Sequence, residues 1–183
     1  MNNRDELFNI ARTLEDIIPD SKINSKDLFQ IKKGSFLEYN DKTFYVKETI
    51  NYQERKNNKI IDSWDECEAI CLEEDGNTYF VEVDEDDGLK IYFSHTVLKI
   101  KDLNIKKNEL KYIVENEEYL KYDGVKFYYE DDYKAYISNS DEQVYFIDFE
   151  DENGNYLTIE KYEDSEFRAY ISSIVNNVKV IKL

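Results

Sequence analysis

The stretch Gly154 to Val175, GNYLTIEKYEDSEFRAYISSIV, decides how this chain is read, because Gly76 to Val97, GNTYFVEVDEDDGLKIYFSHTV, repeats it without a gap. At one constant offset the two share Gly76/Gly154, Asn77/Asn155, Glu82/Glu160, Glu85/Glu163, Asp86/Asp164, Tyr92/Tyr170, Ser94/Ser172 and Val97/Val175. An earlier pair agrees, FLEYNDKTFYV from Phe36 to Val46 with YLKYDGVKFYY from Tyr119 to Tyr129. These matches predict an internal duplication. Within each copy, apolar residues alternate with polar ones around turn signals. Leu37, Tyr39, Phe44 and Val46 flank Asn40-Asp41, and Leu120, Tyr122, Phe127 and Tyr129 flank Asp123-Gly124, the residue types that two-residue hairpin turns require. Further turns are expected at Asp75-Gly76-Asn77 and Asn153-Gly154-Asn155, giving each half five or six short strands.

Outward from the repeat, the first half holds extra chain near Gln53 to Ile60, read as a protruding hairpin tip or loop carrying Arg55, Lys56 and Lys59. Between the halves, LKIKDLNIKKNELK (Leu98 to Lys111) has none of the Gly, Pro or Ser runs of a flexible linker, so the halves are expected to pack together. At the start, Asn3 followed by Glu6 forms a capping-box pattern. Leu7, Ile10, Ala11, Leu14, Ile17 and Ile18 then recur at helical spacing until Pro19. The expected architecture is mainly β: two related antiparallel halves, small barrel- or sandwich-like, preceded by one amphipathic α-helix. The helix is assigned to residues 1–22, the first β half to 25–103 and the second to 104–183, packed as one unit.

The 183 residues include 16 Tyr and 10 Phe against one Pro and five Gly, a composition that favours strands over disorder. A formal net charge of −17 repels a phosphate backbone, so direct nucleic-acid binding is disfavoured; the acidic surface either attracts a basic protein partner or serves only to keep the chain soluble. The first twenty residues lack the basic end and apolar core of a signal peptide, and no run reaches membrane-spanning length, which predicts a cytoplasmic protein with no membrane span. Cys67 and Cys71, four apart on a predicted strand, would have Cα atoms about 13 Å apart. A disulfide tolerates roughly 7 Å, so two free thiols are expected.

The run DFEDENGNYLTIEKYEDSEFRAYISSIV from Asp148 to Val175, together with Gly34, the hairpin ending Phe44-Tyr45-Val46, and Trp64 followed by Asp65 and Glu66, resembles the bacterial domain of unknown function 4178 family. The resemblance spans about Leu28 to Val175 and is most specific at Leu157-Thr158-Ile159-Glu160 followed by Tyr170. Ser172 stands where the family would have Gly. The resemblance implies a mostly β module of two related halves and brings no reaction or catalytic residue with it.

The sequence itself offers no catalytic constellation. His95 is the only histidine, and its counterpart in the second half is Ser173, so a triad lacks its base in one copy. Two Cys and one His fall short of a structural zinc site. The acidic runs Asp84 to Asp87 and Glu150 to Glu152 lack the spacing of a calcium loop. The five glycines are too scattered to cradle a phosphate. No cofactor is therefore expected. What remains is parity. If Phe44, Val81 and Ile91 point into the core, Tyr45, Glu82 and Tyr92 point the other way, and Tyr128, Glu160 and Tyr170 repeat that set. These six are the candidate partner-binding residues of a non-enzymatic protein-interaction module. In the alternative, the chain is an acidic inhibitor or immunity-type protein that neutralises a basic enzyme or nucleic-acid-binding protein. The competing account of the tyrosines is that they line the contact between halves or lie beneath the N-terminal helix.

Overall fold

The computed structural model describes residues 3–15, 30–74, 77–84, 90–163 and 166–182. The expected helix stop at Pro19, the turn at Asp75-Gly76 and the acidic run beyond Asp84 lie outside the described residues, as do the side chains of Leu14 and His95. The fold is mainly antiparallel β. In chain order it contains α1 (Asn3–Glu15), β1 (Phe36–Tyr39), β2 (Lys42–Lys56), β3 (Lys59–Cys71), β4 (Thr78–Asp84) and β5 (Lys90–Leu98). A short 3-10 turn (Ile100–Leu103) follows, then α2 (Lys107–Glu115), β6 (Tyr119–Tyr122), β7 (Val125–Ile137), β8 (Gln143–Asp151), β9 (Asn155–Tyr162), β10 (Phe167–Val175) and β11 (Lys179–Lys182).

The turns follow their residue types. Asn40 and Asp41 both adopt positive φ (51° and 59°), and so do Asp123 and Gly124, the left-handed pair that reverses a hairpin within two residues. Asn57 and Asn58 do the same between β2 and β3, so of the two alternatives expected near Gln53 to Ile60 the structure has the hairpin tip. The turn after β8 is held by Asp151, whose carboxylate accepts the backbone N–H groups of Asn153 and Asn155 at 2.8 and 2.9 Å. Gly154 there has φ +77°, a conformation that side chains disfavour.

Two compact units emerge, and they cut across the chain order. One comprises Met1–Ile50, Asp65–Tyr92 and Val175–Leu183; the other comprises Asn51–Trp64 and Phe93–Ile174. In the first, β1 lies between β2 and β11, with Leu37 opposite both Phe44 and Val180, while β3 pairs β4 with Cys67 opposite Val81. Ala11 of α1 is buried with Phe36, Leu72 and Ile181, and Leu7 and Tyr45 pack around them, so the helix docks by its apolar stripe.

In the second unit β6 to β10 run as successive antiparallel neighbours, and the distal part of β2 adds to β7 with Tyr52 opposite Ile137. Its core lies on one sheet face, with Phe127, Ile147, Phe149, Leu157, Ile159 and Ala169 buried together beneath Leu103 and Leu110 of the linking segment. The strand order of each unit is open, so the expected barrel-like closure is corrected to an open sheet. The second correction is α2, which the sequence did not announce. Its first turn lacks a Ser, Thr, Asp or Asn cap, and Glu109 instead reaches back to accept the Lys106 N–H at 2.7 Å.

Candidate functional site

Alternation along β7 to β10 puts a second set of side chains on the face opposite the core of the second unit. Register fixes which ones meet. Phe146 stands opposite Glu160 and Tyr133, Asp148 opposite Thr158 and Asp131, and Glu150 opposite Tyr156 and Tyr128. On β10, Arg168 is opposite Glu160 and Tyr170 is opposite Thr158. An irregularity in β7 between Tyr129 and Asp131 shifts the pairing by one residue. This bulge turns Asp131 and Tyr133 onto the same face as Tyr128, against simple parity.

One end of this face is covered by residues from the β2–β3 tip. Trp64 packs on Phe146 and Tyr133 with ring centroids 5.6 and 5.8 Å away, and Tyr133 stacks on Phe146 at 5.2 Å with the planes 7° apart. Tyr52 meets Phe146 edge-on at 5.1 Å. Beneath these rings Glu160 has no exposed surface and accepts both Nε and Nη2 of Arg168 at 2.8 Å. Tyr162 donates its hydroxyl proton to Glu160 at 2.7 Å, so the 3.1 Å contact between Tyr162 and Tyr52 takes its proton from Tyr52. Tyr52 in turn accepts from Arg168 Nη2 at 3.2 Å. The result is a closed ring, Arg168 to Tyr52 to Tyr162 to Glu160 and back, in which the buried charges are paired and the carboxylate is well supplied with donors. Burial, and next the Glu160 charge, hold the Tyr162 phenol well above its ordinary range.

Asp148 sits in the middle of the face. Thr158 Oγ1 donates to its Oδ1 at 2.7 Å. Enclosure of the carboxyl pushes it up to about 6; the hydrogen bonds from Thr158 and Tyr133 oppose that rise, and Glu160 and Asp131 add to it. This is a proton-exchanging group near neutral pH, beside an ion pair that is fully committed to its own partners.

The far end is open. Tyr119 stands opposite Tyr128 with ring centroids 5.9 Å apart, each ring is 40% exposed, and the Lys126 ammonium lies 4.0 Å from the Tyr119 centroid. An open cleft of about 310 Å³ adjoins, lined by Lys121, Gly124, Val125, Lys126, Glu152 and Asn153.

The six candidates from parity therefore have different surroundings. Tyr128, Glu160 and Tyr170 share the face opposite the second unit's core, but only Tyr128 is exposed: Tyr170 is 7% exposed and Glu160 is sealed in its ion pair. In the first unit Tyr45 is half-buried, 5.2 Å from Phe36, and packs against the buried cluster that includes Ala11 of α1, which is the placement beneath the helix. Tyr92 and Glu82 are half-buried, with Glu82 opposite the buried Glu66. Cys67 and Cys71 are free and buried, and burial pushes the Cys67 thiol up to about 11. Among the described residues no group of three or more His, Cys, Asp and Glu could hold a metal ion. None of the helices among those residues is long and apolar enough to cross a membrane.

Sequence reasoning missed Arg168, Tyr162, Tyr52 and Asp148. The spacing of the first was readable, since antiparallel pairing of the two strands of the Gly154 to Val175 stretch sets Arg168 opposite Glu160. No curated protein and no solved structure matches the chain. The family model for the domain of unknown function DUF4178 covers residues 32–177, and the chain belongs to that family.

Proposed function

We propose that the protein is a non-enzymatic module that binds another protein through the open end of this face, with Tyr119 and Tyr128 at the centre of the contact. The observation that carries the reading is the exposed tyrosine pair itself. Its two rings already touch, so little side-chain freedom is lost on binding, and tyrosine combines apolar area with a hydrogen-bonding tip. Glu150 stands directly opposite Tyr128, Asp131 shares its face and Glu152 lines the adjoining cleft, against Lys121 and Lys126. That surplus of carboxylates suits a partner presenting arginine or lysine, whose cations can also stack on the phenol rings. Buried free thiols fit a reducing cytoplasm, and the −17 charge opposes direct nucleic-acid binding.

The net charge also supports the second reading, an acidic inhibitor that neutralises a basic enzyme or nucleic-acid-binding protein by long-range attraction. The two readings separate in one experiment. Partners are captured on the immobilised chain and on its Tyr119→Ala/Tyr128→Ala variant, at low and at high salt. A contact centred on the tyrosine pair weakens with salt but persists, because its aromatic core is not screened, and it is lost in the variant. Capture that disappears with salt and ignores the variant overturns the first reading in favour of the second.

A further inference from the structure

Tyr119, half of the exposed tyrosine pair, lies on β6, and β6 is an edge: it pairs with β7, and among the described residues no strand lies on its other side. Register decides which backbone groups face outward there. The Tyr129 N–H donates to the Glu118 carbonyl at 3.0 Å, so by alternation Leu120 and Tyr122 direct their N–H and C=O groups at β7, and Tyr119 and Lys121 direct theirs away from it. The left-handed pair Asp123-Gly124 agrees, because a two-residue turn closes on a hydrogen-bonded Tyr122–Val125 pair. Among the described residues no turn or loop backbone hydrogen bond uses Tyr119 or Lys121. An open cleft of about 760 Å³ adjoins the strand, lined by Asp102 to Ile105 of the linking segment and by Lys121 to Gly124.

We infer that this edge takes up an extended segment of the partner as an added antiparallel strand, with arginine beside Tyr119, a carboxylate beside Lys121 and apolar residues at the alternate positions. The side chains already in place select that occupant. Leu120 is buried in the core and Tyr122 packs against it with Ile105, so positions facing that side of the cleft suit apolar residues. On the other face Tyr119 offers a phenol ring in a row that continues through Tyr128 to Glu150, which suits a cation. Lys121 stands directly opposite Lys126, a like-charge pair that disfavours itself, and it makes no ion pair among the described residues; an incoming carboxylate relieves both. A strand of four residues with a lysine in it resists indiscriminate sheet-to-sheet pairing, so side-chain order governs what is added. The inference rests on the reading that the partner lands at this end of the face, and adds how it is held.

The test titrates the isotope-labelled full chain with a blocked pentapeptide, Val-Glu-Val-Arg-Val, and follows the backbone amides by NMR. In the antiparallel register the peptide's arginine and glutamate exchange hydrogen bonds with Tyr119 and Lys121, and its central valine turns its N–H away. The Tyr119 and Lys121 amides should shift and gain protection from hydrogen exchange. N-methylation of the arginine should weaken binding about tenfold or more, and N-methylation of the central valine by no more than about twofold. Lys121→Pro removes one outward N–H where an edge strand tolerates proline and should weaken binding about tenfold, whereas Lys121→Gln loses only the charge and should weaken it about threefold. Trp64, the chain's only tryptophan, reports by its fluorescence that each variant keeps its fold, and the two methylated peptides decide the matter on the unaltered chain. Undisturbed Tyr119 and Lys121 amides at millimolar peptide would overturn the inference. Binding that is lost in Tyr119→Ala/Tyr128→Ala but treats both methylated peptides alike overturns the added strand and leaves the tyrosine contact standing. The reverse pattern, blocked by arginine methylation and kept in the tyrosine variant, overturns the tyrosine contact and leaves the added strand.

Discussion

The two ends of one sheet face differ as an interior differs from a surface, although they are made of the same residue types. At the covered end, tyrosine and glutamate are held in a closed hydrogen-bond ring under Trp64, and Glu160 has no exposed surface. At the open end, tyrosine and glutamate meet solvent, and Tyr128 keeps 40% of its surface. The strands β7, β8 and β9 serve both ends. What distinguishes them is the β2–β3 tip, which lays Tyr52 and Trp64 over one end only. A tyrosine off the core is thus a lock or a contact according to what another segment places above it.

The largest expected break in this comparison is Glu160→Ala. It leaves the Arg168 guanidinium buried without its carboxylate, and removing one partner of a buried ion pair costs roughly 3–5 kcal/mol. The denaturant midpoint measures it, and a loss below about 1 kcal/mol would mean that Arg168 finds water once Glu160 is gone.

Asp148 comes next, with the opposite sign. Its native pKa, about 6, lies above the 3.8 of an unperturbed carboxyl, so the native state favours the protonated form. The stability this group contributes is fully present below about 3.8 and is lost as pH rises through about 6. Asp148→Asn should therefore raise stability at pH 7 by up to about 3 kcal/mol and by less at pH 5, while still accepting the Thr158 hydroxyl. Equal gains at both pH values would show that charge is not the cause. Smaller again is Tyr52→Phe, which removes the hydroxyl closing the ring and should cost about 1–2 kcal/mol in the same midpoint measurement.

The legible and illegible parts of this molecule divide along physical lines. Hairpin turns were legible because Asn-Asp and Asp-Gly pairs carry their backbone conformation in their chemistry, and the strand faces followed from alternation, as Ile159 against Glu160 and Ala169 against Tyr170 show. Parity tells which face a side chain takes and says nothing of what lies above it. Hence Tyr45, Tyr170 and Tyr128 look alike in sequence, whereas the first packs beneath α1, the second is buried and the third is exposed. The bulge at Glu130 carries no glycine or proline to announce it, which hid Asp131 and Tyr133 from the same face. The pairing of β2 with β7 joins residues about eighty apart, a register that no local pattern encodes, and it is that segment which brings Tyr52 to Arg168.

The smallest effect on stability belongs to the open end, and it sharpens the comparison most. Tyr128 touches Tyr119 on one side and solvent on the other, and it makes no part of the buried ring around Glu160. Tyr128→Ala should therefore move the denaturant midpoint by no more than about 0.5 kcal/mol, the ordinary range of a surface substitution. Tyr170→Ala, on the same face but 7% exposed, should cost several times as much, because a buried aromatic leaves a cavity behind. Running the two side by side tests placement and role together. A near-native Tyr128→Ala that loses the captured partner marks the open end as the contact surface. If Tyr128→Ala instead destabilises as Tyr170→Ala does, its ring is structural, and the two ends are one continuous interior. If Tyr128→Ala keeps both its midpoint and its partner, the contact lies on another surface of the molecule.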